Sequence, residues 1–286
     1  MTAHPKRHTG PPPSAGVLAR HAQAYARELG VAEGRVRAWV AYMIMAGTLE
    51  RADGPGGPRF IVKGGVALEL RLRGRARATK DIDIVLRDTT ADLAEALEQA
   101  LIGEAYQGFS FRRKGEPLLL DNGAVNVEFA VTFRGQPWTS MSVDIARAEP
   151  GEADVEWVDA IVLTEAFGVT GPAHLPCLPL RFHVAQKLHG MTLPPRPGRR
   201  NERFRDLIDL LLMETLVAAD VGVLRDACEL VFSSRGTHKW PPHLGLVPAH
   251  WDEPFAQLAA EVQLAERDVA TALARVRALV ERILAG

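Results

Sequence analysis

The chain has 286 residues, 47% of them hydrophobic, and its 34 basic and 35 acidic residues give a formal net charge of −1. These values exclude wholesale disorder and a protein that coats nucleic acid over its whole surface. No apolar run approaches the roughly 20 residues of a membrane-spanning helix, and the first residues lack the apolar block of a secretory signal. We therefore expect a soluble, cytoplasmic protein that makes no membrane contact.

The first part of the chain, residues 1–56, is predicted to be a mobile Pro-, His- and Gly-rich start followed by a helical segment. Apolar residues at three- and four-residue spacing indicate two helices, with a break near Gly30. The loop DGPGGP ends this segment.

The second part, residues 57–170, changes to a strand-rich pattern. A strand is predicted to enter a glycine turn, a helix follows, and Thr90 is predicted to cap a second helix. Two later runs separated by Gly135, Gln136, Pro137 and Trp138 predict an antiparallel hairpin. The runs, in chain order, are RFIVKGG, VALELRLRG, KDIDIVLR, TTADLAEALEQAL, AVNVEFAVTFR and TSMSVDIAR.

In the third part, residues 171–286, helical patterns return, such as RFHVAQKLHGMTL and ERFRDLIDLLLMETL. The order of helices, a mixed β-rich core and a helical lobe predicts an α+β fold rather than a repeating βαβ one. We therefore expect three parts with boundaries near residues 56 and 170.

Two carboxylates two residues apart, Asp81 and Asp83, lie in the alternating strand KDIDIV. Alternate side chains of a strand share a face, so the two carboxylates converge. If the strand that holds Asp144 is its neighbour, three aspartates face one site. Mg²⁺, or Mn²⁺, is the expected ion because oxygen ligands and substrate phosphates suit it. An exposed ion pair is the alternative for an isolated D-x-D pattern.

The pair Gly64 and Gly65 stands between a predicted strand and a helix start. Backbone N–H groups there can hold a phosphate without side-chain obstruction. The chain has neither a P-loop motif nor a complete dinucleotide-binding fingerprint. A phosphate holder close to a metal holder predicts chemistry on a nucleotide.

Basic residues are concentrated in two runs of ten, at 71–80 and 196–205. A solvated face is the alternative, but runs that flank the acidic positions favour contacts with phosphates. The residues predicted to bind RNA are Arg71, Arg73, Arg75, Arg199, Arg200 and Arg203.

The order of these motifs resembles that of the DNA polymerase β-like nucleotidyltransferase superfamily, and more narrowly the AbiEii/AbiGii toxin family, which includes the mycobacterial MenT toxins. The matching segments are KGG-x-x-LELR, TKDIDI, VDI, AQKLHG and RDLIDL. The resemblance implies a nucleotidyltransferase core, a mixed sheet with flanking helices, together with an N-terminal helical segment and a C-terminal helical lobe.

The activity that the resemblance implies is that of a toxin of a toxin–antitoxin system. Such toxins add nucleotides from a nucleoside triphosphate, with Mg²⁺, to the 3′ acceptor end of transfer RNA; this blocks aminoacylation and translation, and a cognate antitoxin restrains them. CTP or another pyrimidine nucleotide is one candidate triphosphate. The alternatives are a nucleotidyltransferase that acts on a small molecule or a protein, and a non-catalytic module that binds RNA or the antitoxin.

The resemblance also implies roles for single residues. Lys187 and Asp209 join the three aspartates as catalytic residues, although a plain surface lysine is the alternative for Lys187. Val66 follows the glycine pair, which lacks the serine usual in the superfamily, and Thr79 is the candidate for regulatory phosphorylation. The residues expected to hold the nucleotide and its phosphates are Lys63, Gly64, Gly65, Arg77, Lys80 and Lys187.

Overall fold

The computed structural model describes residues 10–73, 75–79, 81–88, 90–152, 154–161, 163–194, 201–217, 221–245 and 247–286. Among the predicted site residues, Lys80, Arg199 and Arg200 lie outside these ranges, as do residues 1–9 of the start expected to be mobile.

The chain divides into two compact units. The first contains the chain up to Arg71, Ala78–Ala148 and Trp157–Cys177, so the N-terminal helices belong to the same unit as the sheet. The second contains Leu72–Arg77, Glu149–Glu156 and Leu178–Gly286. The three-part division near residues 56 and 170 stays a prediction.

A mixed sheet of seven strands is the centre of the first unit within the described residues. Its strands are β1 (Phe60–Lys63), β2 (Asp81–Leu86), β3 (Phe109–Leu119), β4 (Val125–Phe133), β5 (Gln136–Arg147), β6 (Glu156–Asp159) and β7 (His174–Cys177). They lie in the order β3-β4-β5-β2-β1-β7-β6. β2 pairs with β5 and β1 with β7 in parallel, while the pairs β1–β2, β3–β4 and β4–β5 are antiparallel.

The predicted hairpin is confirmed as β4 and β5. Its two-residue loop, Arg134 and Gly135, has φ values of 50° and 74°. A short loop with two left-handed residues matches the right-handed twist of the flanking strands. The register shifts by one residue between Val131 and Thr132, so the turn and this irregularity together bring Asn126 opposite Asp144.

The helices of the first unit are α1 (Ala15–Leu29), α2 (Glu33–Glu50), α3 (Gly64–Leu72), α4 (Leu93–Leu101) and the short α5 (Thr164–Phe167). Both N-terminal helices and the helix that starts at the glycine pair are as predicted. The cap predicted for α4 is wrong: the Asp92 side chain accepts a hydrogen bond from the Glu95 N–H, whereas the N–H and hydroxyl of Thr90 both donate to Asp88. A carboxylate directly before the first turn outcompetes a more distant hydroxyl.

The second unit is largely helical in its described part. Its helices are α6 (Leu180–Met191), α7 (Phe204–Val217), α8 (Val221–Arg235), α9 (Asp252–Glu261) and α10 (Val269–Ala285). α6 contacts both α7 and α8, and α10 contacts α7, α8 and α9. In the described ranges no helix is both long enough and apolar enough to cross a bilayer.

Candidate active site

Three aspartates share one face of the sheet in the first unit. Parallel pairing puts Asp83 of β2 directly opposite Asp144 of β5, and Asp81 opposite Ser142. Next to these acids in the two strands, Ile82, Val143 and Ile145 are fully buried on the other face. The alternation that the sequence predicted therefore extends over two neighbouring strands and places all three carboxylates on one side.

The carboxylates do not form a ready-made ligand cluster. Within the described residues, no three His, Cys, Asp or Glu side chains are grouped so that they could hold a metal ion. Like charges repel one another, so carboxylates on one face separate unless a cation lies between them. The sheet supplies the shared face and the register.

Gly64 begins α3 directly after β1, and Asp83 reaches over it. Its φ is +62°, and a Cβ at this position would lie 1.8 Å from Asp83 Oδ2. A Cβ at Gly65 would likewise lie 2.7 Å from the Cβ and Oγ1 atoms of Thr79. Only glycine permits both the left-handed backbone and this close approach. The predicted phosphate turn and one predicted metal ligand, Asp83, are thus directly adjacent.

Further predicted residues surround this glycine turn, which we call the Gly64 elbow. Lys63 is the cross-strand neighbour of Asp83 in β1. The Thr79 hydroxyl donates a hydrogen bond of 2.9 Å to the Asp81 carbonyl oxygen. The first unit therefore gathers Lys63, Gly64, Gly65, Thr79, Asp81, Asp83 and Asp144.

Asn126 holds Asp144 and was missed by the sequence analysis. Its Nδ2 donates to Asp144 Oδ1 at 2.5 Å and to Ser142 Oγ at 2.6 Å. A carboxylate only accepts, so the amide nitrogen must face Asp144. The polar position of Asn126 in an alternating strand was visible in the sequence, but its partner on the next strand was not.

Tyr42, also missed, lies on α2 next to the acids. Burial, followed by the charges of Asp81 and Asp83, raises the pKa of the Tyr42 hydroxyl to about 12. The phenol therefore stays neutral at physiological pH. With Trp39, Glu69 and Thr79 it lines a small pocket, where Glu69 accepts a hydrogen bond of 2.8 Å from Arg35.

A second cluster of predicted residues lies entirely in the second unit. Asp209 has no exposed surface and binds the Arg77 guanidinium through two hydrogen bonds of 3.0 Å. Lys187 Nζ lies 2.6 Å from Asp206 Oδ1 and 2.9 Å from Asp209 Oδ2. The side chains of Lys187 and Arg77 are thus engaged with buried carboxylates.

The electrostatics of this cluster favour its charged form. Burial would lower the pKa of Lys187, but the charges of Asp206 and Asp209 raise it above its ordinary value. Burial would likewise raise the pKa of Asp209, but Lys187 and Arg77 hold it below its ordinary value. Asp209 and Lys187 are in direct contact, and their catalytic roles stay predictions.

The residues predicted to bind RNA are divided between the units. Arg71 belongs to the first unit, Arg73 and Arg75 to the second. Arg203 pairs with Asp206 at 3.0 Å. Their contacts with RNA stay a prediction.

Comparison with known proteins places these motifs in one family. The model of the AbiEii nucleotidyl transferase toxin family, described as a type IV toxin–antitoxin system, matches residues 48–282. No curated protein sequence matches the chain.

Two solved structures match parts or most of the chain. MenT4, a nucleotidyltransferase toxin from Mycobacterium tuberculosis H37Rv, has a TM-score of 0.57 at 20% identity, covering 95% of this chain and 98% of that one. The solution structure of the antibiotic-resistance factor ANT(2″)-Ia has a TM-score of 0.37 at 17% identity, covering 70% and 92%. The likeness to MenT4 confirms the predicted fold. The chain therefore belongs to the AbiEii family of nucleotidyltransferase toxins from type IV toxin–antitoxin systems.

Proposed function

We propose that this toxin adds nucleotides from a nucleoside triphosphate to the 3′ acceptor end of transfer RNA in a Mg²⁺-dependent reaction. The observation that supports this most directly is the register of Asp83 opposite Asp144, beside the Gly64 elbow. Metal ligands and a phosphate-binding turn are the parts that nucleotidyl transfer needs.

The residues present fit a divalent cation. All three candidate ligands, Asp81, Asp83 and Asp144, offer carboxylate oxygens from one face. Mg²⁺ prefers this ligand type and takes its other ligands from water and substrate phosphates. When bound, the ion would neutralise charge on the triphosphate and on the attacking oxygen. Mn²⁺ is the expected substitute.

The protein groups around the glycine turn and the acids have separate roles in the proposed reaction. The N–H groups at the start of α3 contact phosphate oxygens, and Lys63 adds a positive charge beside Asp83. Asp144, oriented by Asn126, accepts the proton of the RNA 3′-hydroxyl as its oxygen attacks the α-phosphorus. The bond between the α-phosphorus and the bridging oxygen breaks, and pyrophosphate leaves.

The biological consequence follows from the acceptor. A transfer RNA with an altered 3′ end cannot be aminoacylated, so translation stops. The family is a toxin–antitoxin family, so we also propose a cognate antitoxin as the partner that restrains this activity. Transfer RNA and triphosphates are cytoplasmic, and we propose the same location for the protein.

The decisive experiment incubates the purified protein with transfer RNA, Mg²⁺ and each of the four labelled triphosphates in turn. We expect labelled RNA whose extra nucleotides lie at the 3′ end, and CTP is the first triphosphate to compare with the other three. D83N is the matched control because it keeps the shape and removes the charge. Label on a protein or a small molecule, with none on RNA, would contradict the proposal.

Regulation through Thr79 is a further part of the proposal. Its hydroxyl lies beside the glycine turn and bonds to the Asp81 carbonyl oxygen. A phosphate there would break this bond and add a charge of roughly −1.5 to −2 near the acids, opposing nucleotide binding. Intact-mass spectrometry of the toxin co-expressed with its antitoxin tests this; an unmodified, inhibited toxin would exclude it.

A further inference from the structure

The three aspartates stand at one end of a polar sheet face that continues to the edge strand β3. The strand registers define three cross-strand rows on this face, and we call it the acid-to-edge face. Its rows are Asp83–Asp144–Asn126–Leu118, Asp81–Ser142–Glu128–Lys114 and Ser140–Ala130–Arg112.

Positive charge lies at the far end of this face. Arg112 and Lys114 are both exposed and, two residues apart on β3, point to the same side. Lys114 Nζ lies 3.5 Å from Glu128 and 3.4 Å from Ser140 Oγ. Because this ion pair is exposed and weak, another anion can replace Glu128 as the partner of Lys114. In the same row as the catalytic acids, Leu118 is 62% exposed.

We propose that the acid-to-edge face binds the last nucleotides of the acceptor RNA, with Arg112 and Lys114 contacting phosphates upstream of the reacting 3′-hydroxyl. This inference rests on the proposed function. The exposed Leu118 supplies apolar surface for a base that has left the stack.

The spacing of the charges favours a polynucleotide over a smaller ligand. Neighbouring strands are about 4.8 Å apart, so the Cα atoms of Lys114 and Asp81 lie about 14 Å apart, and the Lys114 ammonium reaches back to Ser140 Oγ of β5. Arg112 and Lys114 are about 7 Å apart along β3, so they offer a repeated positive charge to a repeated negative one.

The edge of β3 is unsuited to pairing with an additional strand from a partner protein, which is the other interaction that an exposed sheet edge can make. Gly115 has a φ of 67°, the register shifts between Lys114 and Leu118, and Pro117 has no N–H to donate. Bulges and prolines of this kind prevent strand addition at an edge. The face, rather than the edge, is therefore the interaction surface.

The matched control is Arg113, the residue between the two cations. It points to the opposite side of β3, where its guanidinium pairs with Glu98 of α4 at 3.2 Å. R113A therefore removes the same charge from the same strand but from the other face.

The experiment measures the dissociation constant of a fluorescent single-stranded 3′-end RNA for the wild type, R113A and the double variant R112A/K114A over a range of salt concentrations. For the double variant we expect binding to weaken at least about tenfold at low salt, and the slope of log Kd against log salt to fall by about 1.4, about 0.7 for each phosphate contact of a single strand. R113A should match the wild type, and the KM for the triphosphate should stay unchanged in both.

A double variant with wild-type affinity and slope would overturn the inference, as would an equal effect of R113A. If the double variant does not fold, K114Q replaces it, with an expected loss of about 0.7 in the slope. If the wild type modifies RNA and R112A/K114A binds RNA normally, this inference alone is refuted. A wild type that modifies no RNA refutes the proposed function as well.

Discussion

Asp83 occupies the space that a side chain at position 64 would need: a Cβ on Gly64 would lie 1.8 Å from Asp83 Oδ2. The absence of a side chain at the elbow and the position of the carboxylate are therefore one structural feature. Alanine at position 64 would also have to adopt a φ of +62°, which costs roughly 1–2 kcal/mol for a residue with a Cβ.

The variant G64A should therefore lose activity by at least about tenfold, because Asp83 must move away, and should unfold about 1–2 kcal/mol more easily. The control is G34A in helix α2, where a Cβ meets nothing within 4 Å. Initial rates and urea unfolding of both variants test this. An active G64A with wild-type stability would show that the elbow tolerates a side chain.

Binding of a divalent cation should be visible without any substrate. A ligand that binds only the folded state raises the free energy of unfolding, by about 2.7 kcal/mol at a hundred times its Kd. We expect Mg²⁺ or Mn²⁺ to raise the melting temperature of the wild type but not of D83N or D144N. D226N, which changes an exposed aspartate of α8, should respond like the wild type. Equal shifts in all four proteins would place the ion elsewhere.

Asn126 should act through Asp144. A hydrogen bond to a charged group contributes about 1.5–3 kcal/mol, so N126A should lower kcat by roughly tenfold to a hundredfold and raise the Mg²⁺ concentration that gives half-maximal rate. S142A removes only the Asn126–Ser142 bond and should stay close to the wild type. A purely structural role would lower the melting temperature of N126A without changing its Mg²⁺ dependence.

The buried cluster of the second unit should dominate its stability. D209N leaves the charges of Lys187 and Arg77 without their shared partner, and breaking such a buried pair costs about 3–5 kcal/mol. The R203A change removes a pair whose arginine is 54% exposed and should cost at most about 1 kcal/mol. Urea unfolding compares the two.

The same cluster has a pH dependence of known sign. Because the folded state holds the pKa of Asp209 below its ordinary value, its stabilisation is complete above the ordinary aspartate range. It is lost as the pH falls through the lowered pKa. D209N should therefore be less sensitive to acid than the wild type in that window, relative to its own stability at neutral pH.

The environment of His189 predicts a second pH range in which the free energy of unfolding falls with acid. Burial, together with the neighbouring Arg235, lowers its pKa to about 4. Its Nδ1 lies 3.3 Å from Arg235 Nη1 and its Nε2 lies 2.7 Å from Thr237 Oγ1, so the neutral ring accepts at Nδ1 and donates at Nε2. The unfolded chain takes up a proton near pH 6.5, whereas the folded chain does so only near pH 4.

Stability should therefore fall by about 3 kcal/mol from this residue as the pH drops from 6.5 to 4. Urea unfolding of the wild type and H189N at several pH values measures the difference, which should shrink in the variant. H174Q, at an exposed position, should keep the wild-type profile. A wild-type slope in H189N would assign the acid sensitivity to other groups.

Much of the first unit was readable from local pattern. Alternation put Asp81 and Asp83 on one face, the glycine pair marked the turn into α3, and Gly135 marked the hairpin. The motif order was sufficient to recognise the family. Strand β3 was not predicted, because Gly115, Pro117 and its exposed positions interrupt the alternation of polar and apolar residues that a strand with one buried face produces.

The sequence by itself determined what depends on neighbours in the chain: period, turns and which acids share a strand face. Only the tertiary structure decided which strands lie side by side, and hence that Asp144 stands opposite Asp83 and receives the amide of Asn126. The same holds for Asp209, which pairs with both Arg77 and Lys187. The physical reason is that pairing register and burial arise from contacts between distant segments, and a one-residue slip would turn every one of these side chains to the opposite face.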